Sequence, residues 1–354
     1  MSKYFENIKQ LNIKKDVLIM GIETSCDETA VSIVKNGREV LADEIISSAS
    51  EHAKYGGVVP EIASRGHTTA ILTATKNALS KANVTLNDID AFAVTEGAGL
   101  LGALLVGVSF AKALAFAMDK PLVPVSHIRG HIASSYITDK DLKPPFITIL
   151  ASGGHTAICE VKDYYTLNVL GSTMDDAVGE AFDKVARVLG LPYPGGPNVE
   201  RLAKEGKNII KLPKMLANYQ GSEFDFSYSG LKTAVINYVH TATQKGEEVI
   251  KADVANSFQC SAIDVLIEKA LKAVRQTGYN TITVSGGVGA NGYFRENLTN
   301  ATKKCGIKLV LPEKRLCTDN GAMIGAEGYL QYLKGNFADL TLNAKAVIPL
   351  NKIF

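Results

Sequence analysis

The sequence predicts an α/β protein assembled from two similar halves. Its 354 residues exceed what most single cores hold, which favours two domains or two packed halves. Residues 17–34 read as strand, polar turn and strand, and residues 145–161 repeat that order. Residues 91–117 and 281–298 each read as strand, glycine-rich turn and helix. This recurrence favours a duplicated unit, although two unrelated α/β segments remain an alternative.

The halves predict a domain division with a cleft between two lobes. We expect an N-terminal lobe over residues 1–143 and a C-terminal lobe over residues 144–333. The second lobe has an insertion of helices and loops at about residues 190–250, which is more charged than its surroundings. We expect the tail, residues 334–354, to pack back on the N-terminal lobe.

The composition favours a soluble cytoplasmic protein with no membrane contact. The five cysteines are odd in number and form no CxxC pair, which argues against a disulfide framework and a thiolate zinc cluster. Residues 1–16 lack the order of a secretory leader, and we expect no apolar run long enough to span a bilayer. The net charge of +2 is close to neutral, so RNA binding needs a local basic patch or a partner.

A histidine pair is the strongest candidate for chemistry. His127 and His131 are four residues apart, so on a helix their side chains lie one above the other and can reach one ion. Asp319 is our candidate for the third ligand. Two imidazoles, one carboxylate and an open position suit Zn²⁺ or Fe²⁺. Two ordinary histidines on a helix face are the alternative, and a HExxH protease is disfavoured because Ile128 follows His127.

Two glycine loops predict a nucleotide held in the cleft. Ser152-Gly153-Gly154 and Ser285-Gly286-Gly287 each follow a strand, where the backbone can approach a phosphate. Neither fits a Walker A or a GxGxxG pattern, so a tight structural turn is the alternative for each.

Two aspartates accompany these loops. Asp27 lies at the tip of the first strand hairpin, where a carboxylate could orient a water, a metal or a substrate amine; its alternative is turn capping. Asp183 is either a solvated helix residue or a ribose ligand.

The motifs together resemble the TsaD family, the threonylcarbamoyl-transfer subunit of tRNA modification that was once labelled a glycoprotease. The matching segments run in the family's order from about residue 17 to residue 330: residues 23–29, 55–65, 127–131, 152–156, 179–184, 193–197, 226–232, 285–288 and 317–321. The resemblance implies a duplicated actin/sugar-kinase/Hsp70-like (ASKHA, ribonuclease H-like) fold. It also implies a metal at His127, His131 and Asp319. The implied substrate contacts are Leu150, Ala151, Ser152, Gly153, Gly154, Asp183, Gly196 and Asn291.

The resemblance implies a reaction and partners. A threonylcarbamoyl group would pass from threonylcarbamoyl-AMP to the N6 amine of the adenosine 3′ of the anticodon, position 37, in tRNAs reading codons that begin with adenine. One divalent ion, Fe²⁺ or Zn²⁺, would polarise substrate oxygens, and Asp27 would orient or deprotonate the amine. ATP or ADP could bind in the same cleft. The expected partners are tRNA, a TsaB-like paralogous subunit and a TsaE-like ATPase.

Several positions depart from the family's pattern without removing a proposed ligand. Ala98 replaces a proline, Ile128-Arg129 replaces Met-Glu, Gly289 replaces an alanine, and Gly325-Ala-Glu327 fills a normally more apolar run. Arg129 could alter the preference for substrate charge or partner contacts. A non-catalytic nucleotide-binding scaffold and a small-molecule carbamoyltransferase or kinase on the same fold are the alternatives to the tRNA enzyme.

Overall fold

The computed structural model describes residues 3–216 and 219–350. The first elements in chain order are helix α1 (Lys3–Lys9), strands β1 (Leu18–Glu23), β2 (Glu28–Lys35) and β3 (Glu39–Ser47), helices α2 (Ala49–His52) and α3 (Pro60–Ala82), strand β4 (Ala91–Gly97), helix α4 (Leu101–Met118), strand β5 (Leu122–Ser126) and helix α5 (His127–Thr138).

The remaining elements begin after residue 143. They are strands β6 (Phe146–Ala151), β7 (Thr156–Val161) and β8 (Leu167–Ser172), helices α6 (Val178–Val188), α7 (Gly195–Ala203), α8 (Ser229–Lys245) and α9 (Lys251–Thr277), strand β9 (Thr281–Ser285), helix α10 (Gly292–Cys305), strand β10 (Lys308–Val310) and helices α11 (Lys314–Cys317) and α12 (Gly321–Leu333). Short 3₁₀ turns cover Ala53–Tyr55, Leu86–Asp88 and Gly287–Ala290.

Two five-stranded sheets have the same topology. The first has the order β3-β2-β1-β4-β5 and the second, read from its other edge, β8-β7-β6-β9-β10. In each, the first three strands are antiparallel and the last two join in parallel. The hairpin between β2 and β3 turns at Asn36 and Gly37, which have φ of 54° and 65°. The duplication predicted from the repeated pattern is therefore present in the sheets.

The chain divides into two compact units. Of the described residues, one unit contains those up to Lys143 and those from Thr318 onward, and the other contains those between Pro144 and Cys317. Residues 318–333 are predicted in the C-terminal lobe, whereas α12 belongs to the first unit. The reason is close packing on β1: a Cβ on Gly21 would lie 2.2 Å from the Gly321 carbonyl oxygen and 2.4 Å from the Gly325 nitrogen.

Residues 334–350 of the predicted tail also pack within the first unit, whereas residues 351–354 of that prediction lie outside the described residues. The N–H of Ala338 donates to the carbonyl of Leu122 at the edge of β5 (2.9 Å). Farther on, the N–H of Lys345 donates to the carbonyl of Glu96 (2.7 Å), and the Lys345 ammonium pairs with that residue's carboxylate (2.9 Å). The segment therefore covers one edge of the first sheet.

Helix α4 is strongly apolar along its whole length. Leu101–Met118 reaches the length and hydropathy of a membrane span, with a mean hydropathy of 1.9 and about a third of its residues buried (33%). The expectation that no apolar run approaches a span was therefore too strong. One such helix is weak evidence for a span, because core helices of soluble proteins share these properties, and α4 packs on α3 and β4.

The second unit packs its helices around an aromatic contact. Phe182 of α6 and Phe258 of α9 meet edge to face with ring centroids 4.9 Å apart. The segment between these helices, predicted as an insertion, contains α7 and α8. Helix α7 begins inside the Pro-Gly-Gly-Pro run, at Gly195, because a proline is tolerated in the first turn of a helix.

Candidate functional site

The predicted histidine pair lies at the start of α5. The helix begins at His127 directly after β5, and His131 follows one turn later, with ring centroids 4.5 Å apart. Asp319 immediately precedes the N-cap of α12; its Oδ1 lies 3.6 Å from Nε2 of His127 and 3.2 Å from Nε2 of His131. The helices are in contact at Gly130, where a Cβ would lie 2.7 Å from Cδ1 of Ile324. Helix packing within the first unit therefore joins residues that are remote in sequence.

These three residues form a group that could hold a metal ion. One ligand atom from each lies within 4.8 Å of the others. Two atoms bound to one tetrahedral ion at about 2.0–2.1 Å are about 3.3 Å apart, which matches the two nitrogen–oxygen distances. The side chains of His131 and Asp319 are 2% and 18% exposed, so the group is largely shielded from water. The donor set and its spacing fit a divalent ion such as Zn²⁺ or Fe²⁺.

The electrostatics of the group favour a cation. Burial disfavours a charged His127, but the carboxylates of Asp319 and Glu23 outweigh burial and raise the pKa of His127 to about 9. Burial likewise opposes ionisation of Asp319, but the two histidines outweigh it and lower the pKa of that carboxyl. Without an ion, the group therefore holds a proton at neutral pH, and a binding metal must displace it.

Glu23 orients the first histidine. This residue ends β1 and is fully buried (0%). Its Oε2 accepts a hydrogen bond from the Thr95 hydroxyl (2.6 Å) and lies 3.1 Å from Nδ1 of His127. Because a carboxylate only accepts, Nδ1 carries the proton and Nε2 faces Asp319 with its lone pair when the ring is neutral. Sequence reasoning missed Glu23; the available signal was an acidic residue at the end of an apolar strand.

The second histidine lacks such a partner within the part of the chain that the structure describes. Nδ1 of His131 is buried and has no hydrogen-bond partner among the described residues. Within the described chain, the orientation of this ring therefore depends on packing in α5 and on its contact with Asp319.

Asp27 lies in the turn between β1 and β2 and is 8% exposed. The pKa of the neighbouring Glu28 shows that the region around Asp27 is negatively charged. Burial is the largest cause, followed by the negative charge of Asp319, and together with a hydrogen bond that protonated Glu28 donates to Asp27 and the charge of Asp27 they raise the pKa of Glu28 to about 9. Asp27 and Asp319 therefore contribute to one negative region, which a bound cation would neutralise.

The two predicted glycine loops are neighbours in the second unit. Strands β6 and β9 pair in parallel, with Leu150 opposite Ser285, so the loops that follow them leave the same edge of the sheet. Gly286 has φ of 94°, and a Cβ there would lie 2.5 Å from the carbonyl oxygen of Ala151. The Ser152 hydroxyl closes the first loop by accepting from the N–H of His155 (3.1 Å).

Three glycines in these loops border open space. A Cβ built on Gly153, Gly154 or Gly287 would meet no atom within 4 Å. Their backbones are therefore accessible to a ligand, unlike the backbone of Gly286.

Asp183 has a role that neither sequence alternative included. It lies on α6, and its Oδ1 accepts from the N–H of Gly195 (2.8 Å) at the beginning of α7. Burial is the largest influence and raises the pKa of Asp183, against the lowering effect of bonds from Gly195 and Gly196. The carboxylate therefore positions the segment that contains Gly196.

Asn291 caps a helix in the same unit. Its side-chain oxygen accepts from the N–H of Phe294 (3.0 Å), and its amide donates to Gln259 (2.9 Å). The residue is 8% exposed. Its orientation at the start of α10 is therefore fixed from two sides.

Two departures from the family pattern pair with each other. Arg129, which lies between the two histidines, donates through Nε to the carboxylate of Glu327 on α12 (2.6 Å). The Glu327 carboxylate also accepts from Gln331 (2.6 Å). The cation that the sequence analysis singled out is thus compensated by an acidic residue at a second departing position.

Fold and site define an α/β protein of the duplicated-sheet type, with a His–His–Asp group able to hold a metal ion in its first unit. The crystal structure of full-length HypF in the phosphate- and nucleotide-bound form is similar to it, with a TM-score of 0.62 at 16% identity. The similarity covers 92% of this chain and 48% of that chain. At this identity the likeness concerns the fold alone, and it confirms the predicted ASKHA-like class.

Sequence comparison identifies the family. The family model for TsaD, tRNA N6-adenosine threonylcarbamoyltransferase, matches residues 39–326. The tRNA N6-adenosine threonylcarbamoyltransferase of Clostridium novyi (strain NT) is 52% identical over 334 residues, 94% of this chain and 97% of the relative. That of Clostridioides difficile (strain 630) is 52% identical over 338 residues, 95% and 99% of the two chains. The chain belongs to the TsaD family, whose members are transferases that modify tRNA, and the predicted family and enzyme class are confirmed.

Proposed function

We propose that this chain transfers the threonylcarbamoyl group from threonylcarbamoyl-AMP to N6 of the adenosine at position 37 of tRNAs that read codons beginning with adenine. The observation that carries this proposal is the convergence of His127, His131 and Asp319. It occurs in a chain that matches a family relative over 94% of its own length and 97% of the relative. A scaffold would not require three largely shielded metal-type ligands, so the geometry favours an enzyme.

The histidine pair and Asp319 are the proposed ligands of one Fe²⁺ or Zn²⁺ ion. When bound, the ion supplies a Lewis acid that stabilises negative charge on substrate oxygens. Glu23 holds Nδ1 of His127, which keeps Nε2 directed to the ligand position. The pair between Arg129 and Glu327 keeps the neighbouring cation directed toward α12.

The loops of the second unit are the proposed binding site for the adenylate. The accessible backbones at Gly153, Gly154 and Gly287 support phosphate binding, with Leu150, Ala151, Ser152, Ser285 and Gly286 forming the strand ends beneath them. Asp183 holds the segment of Gly196, and Asn291 is the N-cap of α10. We propose that Asp183, Gly196 and Asn291 contact the ribose and base of threonylcarbamoyl-AMP. We also propose that ATP or ADP can bind at the same loops.

Asp27 is the proposed catalytic residue. Attack of the adenosine amine on the carbamoyl carbon forms the new N–C bond, breaks the bond to the AMP oxygen and releases a proton. A carboxylate near the reacting carbon can orient the amine and accept that proton. Asp27 shares a negative region with Asp319, which supports its assignment.

The proposed setting is cytoplasmic, with tRNA, a TsaB-like subunit and a TsaE-like ATPase as partners. The net charge of +2 supports sharing of tRNA contacts with another subunit. An exposed apolar stripe on α4 supports a protein partner: Leu101, Leu105 and Phe116 are 49%, 40% and 62% exposed.

Analysis of modified nucleosides tests the function. The chain, its TsaB-like and TsaE-like partners, ATP and unmodified tRNA are incubated with threonylcarbamoyl-AMP, and the tRNA is digested for mass spectrometry. We expect threonylcarbamoyladenosine from a tRNA with adenosine at position 37 and none when that base is guanosine. Absence of the modified nucleoside with every adenosine-37 tRNA would reject the proposal in favour of a scaffold or small-molecule enzyme.

A further inference from the structure

Two buried histidines outside the metal group are linked by hydrogen bonds to the turn that carries Asp27, one directly and one through a serine. His67 lies on α3 and is 1% exposed, and His52 ends α2 and is fully buried (0%). Neither residue has a role that its local sequence predicts. Most buried polar side-chain atoms are hydrogen-bonded, so the atoms that a buried imidazole contacts indicate what it holds in place.

The ring of His67 spans the turn. Its Nε2 lies 3.0 Å from the carbonyl oxygen of Cys26, and its Nδ1 lies 2.7 Å from the hydroxyl of Thr29. A carbonyl can only accept, so Nε2 carries the proton and donates, and Nδ1 of the neutral ring accepts from the hydroxyl. Burial lowers the pKa of His67, which favours this neutral form. One ring thus fixes the backbone before Asp27 and a side chain after it.

His52 acts on the next carbonyl through a serine. Its Nδ1 accepts from the N–H of Val59 (3.2 Å), so Nε2 carries the proton and donates to the hydroxyl of Ser48 (3.1 Å). That hydroxyl donates to the carbonyl oxygen of Asp27 (2.9 Å). The N–H of Ser48 donates to the same oxygen (3.0 Å). The carbonyls of Cys26 and Asp27 therefore both have defined donors.

We propose that His67, and to a smaller extent His52 acting through Ser48, are positioning residues that aim the carboxylate of Asp27. With the peptide groups on both sides of Asp27 held, only its two side-chain torsions remain to be set. This inference rests on the proposed role of Asp27 in the transfer. An error of about 1 Å in the position of a reacting group can reduce a rate by about 100-fold. The conformation of the turn therefore affects catalysis through the position of the Asp27 carboxylate.

A purely structural role makes a different prediction. If the histidines only stabilise the first unit, their replacement lowers activity whether or not Asp27 has its carboxylate. If they act through Asp27, the loss disappears once that carboxylate is removed. The difference between these cases is measurable as a double-mutant cycle.

The variants follow from the hydrogen-bond geometry. His67→Phe removes both ring nitrogens, whereas His67→Gln keeps an N–H donor at about the distance of Nε2. Ser48→Ala removes one of two donors to the carbonyl of Asp27, because the N–H of residue 48 remains. His240→Gln is the matched control, since His240 is exposed on α8 with one long contact to Gln244 (3.5 Å).

Amide hydrogen exchange and steady-state kinetics are measured on each variant with the complete partner set. For His67→Phe we expect faster exchange in residues 26–29 and a kcat about 10- to 100-fold lower, with KM for tRNA and threonylcarbamoyl-AMP within about twofold. His67→Gln is expected to recover most of kcat, Ser48→Ala to lose less than His67→Phe, and His240→Gln to match the parent. If His67→Phe does not fold, the same exchange and kcat measurements on His67→Gln and Ser48→Ala provide the test.

The decisive comparison uses an Asp27→Asn background. There we expect His67→Phe and Ser48→Ala to change kcat by less than about twofold. An equal loss in both backgrounds, or unchanged exchange in residues 26–29, would overturn the positioning role. A parent that fails to modify tRNA instead rejects the proposed function, and a fully active Asp27→Asn protein rejects the role of Asp27; either result also removes this inference.

Discussion

At the scale of single residues, the metal group depends on the orientation of one ring. Glu23 accepts from Nδ1 of His127 and so directs Nε2 to Asp319, while Nδ1 of His131 has no partner within the described chain. Carboxylates behind a metal-binding histidine commonly contribute about 10- to 100-fold to metal affinity. Because the expected contribution of Glu23 is to metal affinity, it can be tested without measuring the reaction.

Glu23→Gln should weaken Zn²⁺ binding by about 10- to 100-fold, because an amide no longer enforces the tautomer of His127. Calorimetric titration of the EDTA-treated protein measures the affinity. Glu39→Gln, at an exposed position at the start of β3, is the control and should bind like the parent. Equal affinities for Glu23→Gln and Glu39→Gln would contradict an orienting role for Glu23.

The metal-free protein should lose stability between about pH 6.5 and pH 9. The folded-state pKa of His127 is raised to about 9, so the stabilisation is fully present below the unfolded value of about 6.5 and lost as pH rises through 9. The lowered pKa of Asp319 acts at the other end, since its contribution is lost as pH falls below about 4.

Urea unfolding of EDTA-treated protein at pH 6.5 and pH 9 measures this dependence. His127→Asn should show a smaller loss than the parent over the same interval, because its amide does not titrate. If the parent and His127→Asn have the same pH dependence, the ion pair with Asp319 does not form in the metal-free protein.

At the scale of elements, glycines determine how closely backbones approach in both units. In the first unit, Gly21 lets α12 contact β1, which sets the position of Asp319 beside α5. In the second unit, Gly286 lets the loop after β9 approach Ala151, whereas Gly287 faces open space. Gly21 and Gly286 therefore permit close backbone contacts, whereas Gly287 borders open space. The sequence alone does not distinguish these roles.

Gly21→Ala should destabilise the protein by about 1–3 kcal/mol or more, because the new methyl would overlap backbone atoms of α12. Gly66→Ala is the control: it lies within α3, with the nearest atom to a new Cβ at 3.9 Å, and should be neutral or stabilising by up to about 1 kcal/mol. Chemical denaturation measures both. A Gly21→Ala protein as stable as Gly66→Ala would show that α12 does not pack as described.

Gly287→Ala should leave stability nearly unchanged and weaken AMP binding, because its methyl would enter open space beside the proposed phosphate site. Gly230→Ala, also bordered by open space but on α8, should alter neither property. Thermal unfolding and titration with AMP separate the two effects. Unchanged AMP affinity in Gly287→Ala would place the nucleotide elsewhere.

At the scale of the whole molecule, much of the fold was predictable because the strand and helix periodicities recur in two halves. The helix starting at His127 and the two strand–glycine–helix segments follow from local pattern. The position of α12 could not be predicted from local pattern. Its place in the first unit depends on close contact at Gly21 between segments about 300 residues apart.

The candidate site was predictable to a similar degree. Spacing indicated the histidine pair, and Asp319 was the candidate third ligand that the resemblance also implied. Glu23 and His67 were missed because their roles arise from hydrogen bonds across the fold, which spacing within one segment cannot reveal. The compensation of Arg129 by Glu327 likewise joins residues on two helices and became apparent only in three dimensions.

Metal content tests the central claim most directly. The protein is purified anaerobically and analysed for iron and zinc, together with Asp319→Ala and the surface control Asp141→Ala. We expect about one equivalent of iron or zinc per chain in the parent and in Asp141→Ala, and a loss of most of it in Asp319→Ala with its folding retained. A full equivalent in Asp319→Ala, or no metal in the parent even after incubation with Fe²⁺ and Zn²⁺, would contradict the account.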